Sequence, residues 1–293
     1  MRAVMRLFFV SFFAFFSFSA LAAVPSEQGE LAAIAAPAAA PRTVGEAVSR
    51  LRGRGVSVIQ VDAHTANFLI PAAGSLAGGQ GTFFRSEITI ANFRTSAQRI
   101  GVGWLAQNAN NTNAPLQYFN LGAGTWSTEA DFVATRLGKS GLGAILVFGV
   151  TSTGDIDINA ELDGFSRIWT NQPGSATGTT SQTLAAVSQQ DSFGRDSAFA
   201  GGLRTGSNFR SNVGVVNLDT VTHTWTISGA GGAFTLTVPP YSVNQAPVPA
   251  AITGSGGFLG LVFVADQQGF WWSGYASSVD NTTGDGWVSR AVQ

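Results

Sequence analysis

The chain has 293 residues, enough for two ordinary domains each with its own core. Only 11% of residues are charged, the formal net charge is −1, 36 residues are glycine and none is cysteine. Disulfides, thiolate metal sites and a cysteine nucleophile are therefore excluded, no basic field exists to hold nucleic acid or an anionic membrane, and the outer faces of a helical bundle would lack their charge. The abundance of Val, Thr, Phe, Trp and Gly points instead to strands joined by tight turns.

Residues 1–22 read as a secretory signal peptide. Arg2 and Arg6 precede an apolar stretch from Leu7 to Phe18, and Ala20-Leu21-Ala22 is a small-x-small cleavage site. No second hydrophobic span follows, so the mature chain is expected without a membrane span, either secreted or periplasmic and at the cell surface. Residues 23–42 are rich in Ala and Pro and read as a flexible linker. Thr43-Val44-Gly45-Glu46 is a capping-box pattern, and Val44, Ala47, Val48 and Leu51 follow at helical spacing. The short helix ends at Gly53 and Gly55 and carries Arg50, Arg52 and Arg54. It reads as a solvated cap on the first domain, with docking to a partner or envelope surface as the other reading. Linker and helix together cover 23–55.

A first β-sandwich is expected over 56–188. Val56 to Val61 and Asn67 to Ile70 read as strands, the second stopped by Pro71. After a Gly-rich lead, Phe84-Arg85-Ser86 opens a strand with Ile88 and Ile90 on one face. Arg99 to Leu105 continues the alternation, Asn108 to Asn113 is a polar loop, and Gly143 to Val150 has the continuous apolar character of a central buried strand. Asp155 to Trp169 reads as its return strand. There Asp155, Asp157, Asn159, Glu161 and Asp163 alternate with apolar residues. A calcium loop would need Gly where Ala160 stands and Glu where Ser166 stands, so a solvated acidic strand face is the expectation.

The second β-sandwich is expected over 189–293. Phe209-Arg210-Ser211 opens it, Val221 to Ser228 and Ala233 to Val238 flank a Gly turn, and Gly260 to Ala265 is the apolar partner of Gly143 to Val150. Gln267-Gln268-Gly269 reads as a hairpin turn before a strand from Phe270 to Val279. The Phe-Arg-Ser segments lie 125 residues apart, and each ends on an Asn, Asn92 and Asn217. The chain therefore reads as two copies of one β unit, with Phe84 equivalent to Phe209 and Val147 to Val262.

Chemistry is sparse. His64 and His223 fall in different units and lack metal-ligand spacing. Gly254-Ser255-Gly256 lacks the spacing of a nucleophile elbow. Asp280 and Asp285 are expected to order a turn through backbone N–H groups. Arg85 and Arg210 are expected to clamp carbonyls or a carboxylate where strands meet. Phe270 and Trp272 share one strand face, Trp271 and Tyr275 the other. Trp272 is assigned to the core. Trp271 and Tyr275, with their polar tips, are the candidate binding residues, facing outward to a partner or covered by the other domain. No catalytic residue, metal or cofactor is assigned.

Residues 209–217, with Tyr275-Ala276-Ser277-Ser278-Val279-Asp280-Asn281 and the following Thr283-Gly284-Asp285, resemble tandem immunoglobulin-like β-sandwich repeats of exported soil-bacterial proteins. Ser166 to Gln172 resembles a variant ending of such repeats, and the Asp-Asn-x-Thr-Gly-Asp ending is missing from the first unit. The resemblance covers roughly residues 65 to 293. It implies an extracytoplasmic all-β fold of two tandem immunoglobulin-like sandwiches and carries no catalytic residue across. The expected function is a non-catalytic structural or adhesive module of the cell envelope or matrix, its partner an envelope or matrix protein or polysaccharide, with homo-oligomers compatible. A carbohydrate-binding module using exposed aromatics is the alternative, and a glycan-active enzyme a distant one.

Overall fold

A computed structural model describes residues 24–54, 64–172, 177–188, 197–253 and 257–292. The expected signal peptide, the strand expected at 56–61 and the Gly254-Ser255-Gly256 segment lie outside them. The described chain is all β apart from two α-helices and two 3-10 turns. None of its helices is long and apolar enough to cross a membrane.

The second unit is the simpler. Its strands are β12 (Ser197–Arg204), β13 (Phe209–Asn217), β14 (His223–Gly229), β15 (Gly232–Val238), β16 (Ser242–Pro247), β17 (Phe258–Ala265), β18 (Trp272–Asp280) and β19 (Gly286–Arg290). They form two four-stranded sheets, β12-β17-β14-β15 and β16-β13-β18-β19. Trp225, Ile227, Leu261 and Phe263 from the first sheet meet Val213, Val215, Trp272 and Ala276 from the second in one core. The sequence achieves this by period-two alternation: Leu259, Leu261 and Phe263 point in, while Phe258, Val262 and Val264 point out. β17 and β18 lie in different sheets, so the turn at Gln267-Gln268-Gly269 carries the chain across the sandwich and does not close a hairpin. β12 and β13 also open opposite sheets, whereas the first two strands of an immunoglobulin domain share one.

The first unit contains β3 (Asn67–Ala77), β4 (Phe83–Asn92), β5 (Gln98–Ala106), β6 (Leu116–Leu121), β7 (Thr125–Glu129), β8 (Gly141–Val150), β9 (Leu162–Asn171) and β10 (Thr179–Ala185), with α2 (Phe132–Thr135) before β8 and β11 (Val187–Ser188) after β10. The orders β3-β8-β5-β6 and β7-β4-β9-β10 repeat those of the second unit strand for strand. Here β3 and β4 also pair at one end, from Ser75↔Arg85 to Ala77↔Phe83.

The duplication extends to the irregularities. β3 shifts register on β8 between Ile70 and Ala73, and β12 shifts on β17 between Ala200 and Leu203. Each bulge gives the first strand one extra residue. Pro71 therefore does not stop the strand as expected; it sits in the bulge, where its missing N–H breaks no ladder. Counted from the bulge, Leu69 matches Phe199, Leu146 matches Val262 and Val147 matches Phe263. The expected pairing of Val147 with Val262 is thus one residue out, which places it on the wrong face of the sheet. Phe84 and Phe209 are equivalent, since Arg85↔Trp169 and Arg210↔Val279 hold the same place in their ladders.

Residues 24–36 are not a linker. β1 (Glu27–Gln28) runs parallel to β7, and β2 (Ala32–Ile34) pairs with β6, so the segment straps one sheet edge to the other, with Leu31 buried between. Asp155 to Glu161 is not a strand either. It is a turn region in which Ile156 and Ala160 pack inward, Asp157 accepts from the Asn159 N–H, and Gly154 takes a positive φ of 107°. The polar/apolar alternation there records turn chemistry.

The two units pack together. α1 (Val44–Gly53) and the outer face of β16-β13-β18 cover the outer face of β3-β8-β5-β6. Leu69, Leu146 and Phe148 of the first unit, Val44, Val48 and Leu51 of α1, and Val216, Val243 and Tyr275 of the second form one apolar cluster. β8 is consequently buried on both faces, which explains its unbroken apolar run.

Candidate functional site

The sequence directs attention to Trp271 and Tyr275, and the junction is where they lie. Trp272 and Phe270 enter the core of the second unit, as expected, against Trp225. Trp271 and Tyr275 point the opposite way, also as expected, but not into solvent. Tyr275 is 2% exposed, lies over Gly214, where a Cβ would clash with the hydroxyl end of its ring, and donates its hydroxyl to Gln245 Oε1 at 2.9 Å. Burial pushes its pKa up. Trp271 packs on the same cluster beneath the Arg52 guanidinium, 5.3 Å from the ring centroid. The first unit and α1 lie over this face, so Tyr275 is covered by the other unit, the second of the two expected placements, and Trp271 is half-buried beside it.

Of the arginines in and just after α1, Arg52 serves the same junction. Arg52 donates to Asp219 Oδ1 and to the Leu218 carbonyl, both at 3.0 Å, and Arg54 pairs with Asp155 at 3.3 Å. Arg50 pairs with Glu46 and donates to the Ala39 carbonyl at 2.7 Å. The helix begins as its sequence dictates, with the Thr43 hydroxyl accepting from the Glu46 N–H. Its apolar side is buried rather than solvated.

Next to Arg52 lies an ionisable cluster around His223. His223 is buried and stacked on Phe270 at 3.7 Å. Its Nδ1 faces Asp266 Oδ1 at 2.8 Å and its Nε2 faces Asp219 Oδ2 at 3.0 Å. Both ring nitrogens are engaged by carboxylates, which leaves neither to act on a substrate. Burial alone would raise the Asp219 carboxyl; hydrogen bonds from His223, the Thr220 N–H and Arg52 outweigh it and hold the pKa below the usual range. His223 was expected simply in a strand; Asp219 lies only 4 residues before it, but Asp266 lies 43 residues after it, a pairing that no local pattern encodes.

The remaining expected roles are local. Arg85 reaches the Phe83 carbonyl at 3.4 Å and Asp131 at 3.8 Å, and Arg210 donates to Asn281 Oδ1 at 2.7 Å, so the first clamps as expected and the second uses an amide. Asp280 Oδ1 accepts from the N–H groups of Thr282 and Thr283 and orders the turn. His64 stacks on Phe93 at 3.5 Å. Among the described residues no group of three or more His, Asp or Glu side chains is placed to hold a metal ion.

Two apolar surfaces were not singled out by the sequence. On the second unit, Phe199, Phe258, Val262 and Val264 are 49, 61, 41 and 43% exposed on the outer face of β12-β17. The Phe199 ring lies across Gly201 and Gly260, and the Arg204 guanidinium sits 4.0 Å from the Phe258 ring centroid. On the first unit, Val24, Pro25, Thr89, Ala91, Trp126 and Phe165 line a groove of about 430 Å³ on the outer face of β7-β4-β9. The alternation in β17 contained the signal for the first surface, but not which face the other sheet would cover.

Comparison with protein-family models gives no match for this chain, and comparison with the curated proteins gives no relative.

Proposed function

We propose that this is an exported, non-catalytic structural or adhesive protein of the cell envelope or extracellular matrix, a tandem pair of immunoglobulin-like sandwiches in the broad architectural sense. The observation that carries the reading is the uncovered outer face of β12-β17, where two phenylalanines and two valines stand in solvent on a protein with few charges. A contiguous exposed apolar patch on a soluble domain marks an interaction surface. His223, the buried histidine of the second unit, is held between Asp219 and Asp266.

A carbohydrate platform needs a row of accessible rings. Here the Arg204 guanidinium occupies one face of the Phe258 ring, and Val262 and Val264 stand beside Phe199, a mixed apolar surface that supports assembly against a protein over sugar stacking. Secretion is supported by the form of residues 1–22. The test is co-sedimentation of the mature protein with isolated envelope and matrix fractions, beside the Val262→Lys variant. Retention of the wild type and loss of the variant is the expected result. Equal retention of both, or release by soluble glycans in place of protease treatment of the fraction, would sink the assembly reading.

A further inference from the structure

The internal duplication identifies what fits the uncovered face. Within the chain, the second unit docks Val216, Val243 and Tyr275 onto Leu69, Leu146 and Phe148 of the first. Each half of that contact has a counterpart on the other unit. By strand register, Leu69, Leu146 and Phe148 correspond to Phe199, Val262 and Val264. Val216↔Val243 corresponds to Ala91↔Trp126, and Tyr275 opposite Gly214 corresponds to Phe165 opposite Thr89. The exposed patch on the second unit and the groove on the first are therefore the two halves of the same contact, left over at opposite ends of the chain.

The uncovered face is divided as its counterpart is covered. In the first unit α1 lies over the β5-β6 half, close enough that a Cβ at Gly103 would meet Val44, and Tyr118 donates its hydroxyl to the Pro41 carbonyl. At the corresponding places the second unit carries Ser228 and Thr235, polar residues that need no helix above them. The half that the partner sheet covers in the first unit stays apolar in the second, as Phe199, Val262 and Val264. The surface has kept what a sheet would cover and lost what a helix would cover.

We propose that the protein associates head to tail with a second copy of itself, the Ala91-Trp126-Phe165 groove of one molecule docking on the Phe199-Val262-Val264 face of the next. The proposal rests on reading that face as an assembly surface. Such a contact is heterologous: it leaves one face unsatisfied at each end and so propagates. It is weaker than the intrachain junction. There the loop after β5 adds a parallel bridge, Gln107↔Val243, and Asn111 donates to the Tyr241 carbonyl. At the corresponding edge β7 is already paired by β1, Gln28↔Trp126, and the loop between β14 and β15 is a tight turn. Association should accordingly be reversible and concentration-dependent.

The test is sedimentation equilibrium of the mature chain and of two variants at exposed positions, Val262→Lys and Phe165→Lys. Wild type should rise in average mass through a series of oligomers as concentration increases. Each variant alone should stay monomeric, with its melting temperature within a few degrees of wild type. Mixed in equal amounts, they should form a dimer and stop, because only one intact groove and one intact face remain to meet. Three results would overturn the proposal: a wild type monomeric at every concentration, a mixture that does not dimerise, or self-association abolished by Val262→Lys and untouched by Phe165→Lys, which marks a symmetric contact. If the wild type is monomeric but Val262→Lys still loses envelope binding, the assembly reading stands while self-association falls.

Discussion

Asn92 and Asn217 close the repeated motif because of what their side-chain amides reach. Both are fully buried. Asn92 Nδ2 donates to the carbonyls of Ser96 and Gly122 and its Oδ1 accepts from the Arg94 N–H. Asn217 Nδ2 donates to Val221, Val238 and Pro239, and its Oδ1 accepts from the Asp219 N–H. In each unit one amide satisfies backbone groups of the following turn and of the next strand pair. Replacement by Ala leaves those buried groups unpaired, at about 1–3 kcal/mol for each, and urea denaturation of Asn217→Ala should show a loss of at least that size. Asp219 adds a pH term. Its pKa is lowered on folding, so its contribution is fully present above the ordinary carboxylate range and is lost as pH falls through the folded value. The melting-temperature gap between wild type and Asp219→Asn should therefore shrink as pH falls below about 4; a gap that widens through that range would contradict the assigned direction.

At the scale of elements, legibility followed locality. β4, β5, β8, β13 and β14 were readable from alternation or an apolar run, and α1 from its capping residues, because the interactions that define them lie within a few positions. The failures have longer range. The strap at residues 24–36 reads as low complexity because its order comes from pairing with β6 and β7, about ninety residues on. The alternation from Asp155 to Glu161 imitates a strand, but Arg94 takes Asp157 at 2.8 Å and the backbone turns. The one-residue offset at Val147 lies in two runs, Gly143 to Val150 and Gly260 to Ala265, whose nearly unbroken apolar character marks no register; only the ladders to β3 and β12 fix it. α1 was legible as a helix and not as a wedge, since its spacing gives an apolar face without saying what covers it. Val48→Asp tests the wedge. A carboxylate placed in that cluster lacks a partner and should cost several kcal/mol, whereas a helix lying on solvent would tolerate it. Far-UV and tryptophan signals should then be lost together at lower denaturant.

For the whole molecule, the junction makes a thermodynamic claim. The two cores are bridged by a third cluster drawn from both units and α1, and polar contacts back it: Arg52 to Asp219, Asn111 to the Tyr241 carbonyl, and Thr180 to the Gly284 carbonyl. Apolar area covered in this way is lost if either unit unfolds alone, so each stabilises the other. The chain should unfold in one calorimetric transition whose van't Hoff and calorimetric enthalpies agree. The face assignment of the tandem aromatics refines the test. Trp272→Ala removes a core ring of the second unit and should cost about 3–5 kcal/mol. Tyr275→Ala removes a ring buried in the junction, so it should cost on the order of 3 kcal/mol and also weaken the coupling between units. Trp272→Ala should therefore shift a single transition to lower temperature, while Tyr275→Ala should broaden it or split it in two. Two separate transitions in the wild type, or a Tyr275→Ala variant as stable and as cooperative as the parent, would show that the units are joined by the chain alone and that Tyr275 faces solvent after all.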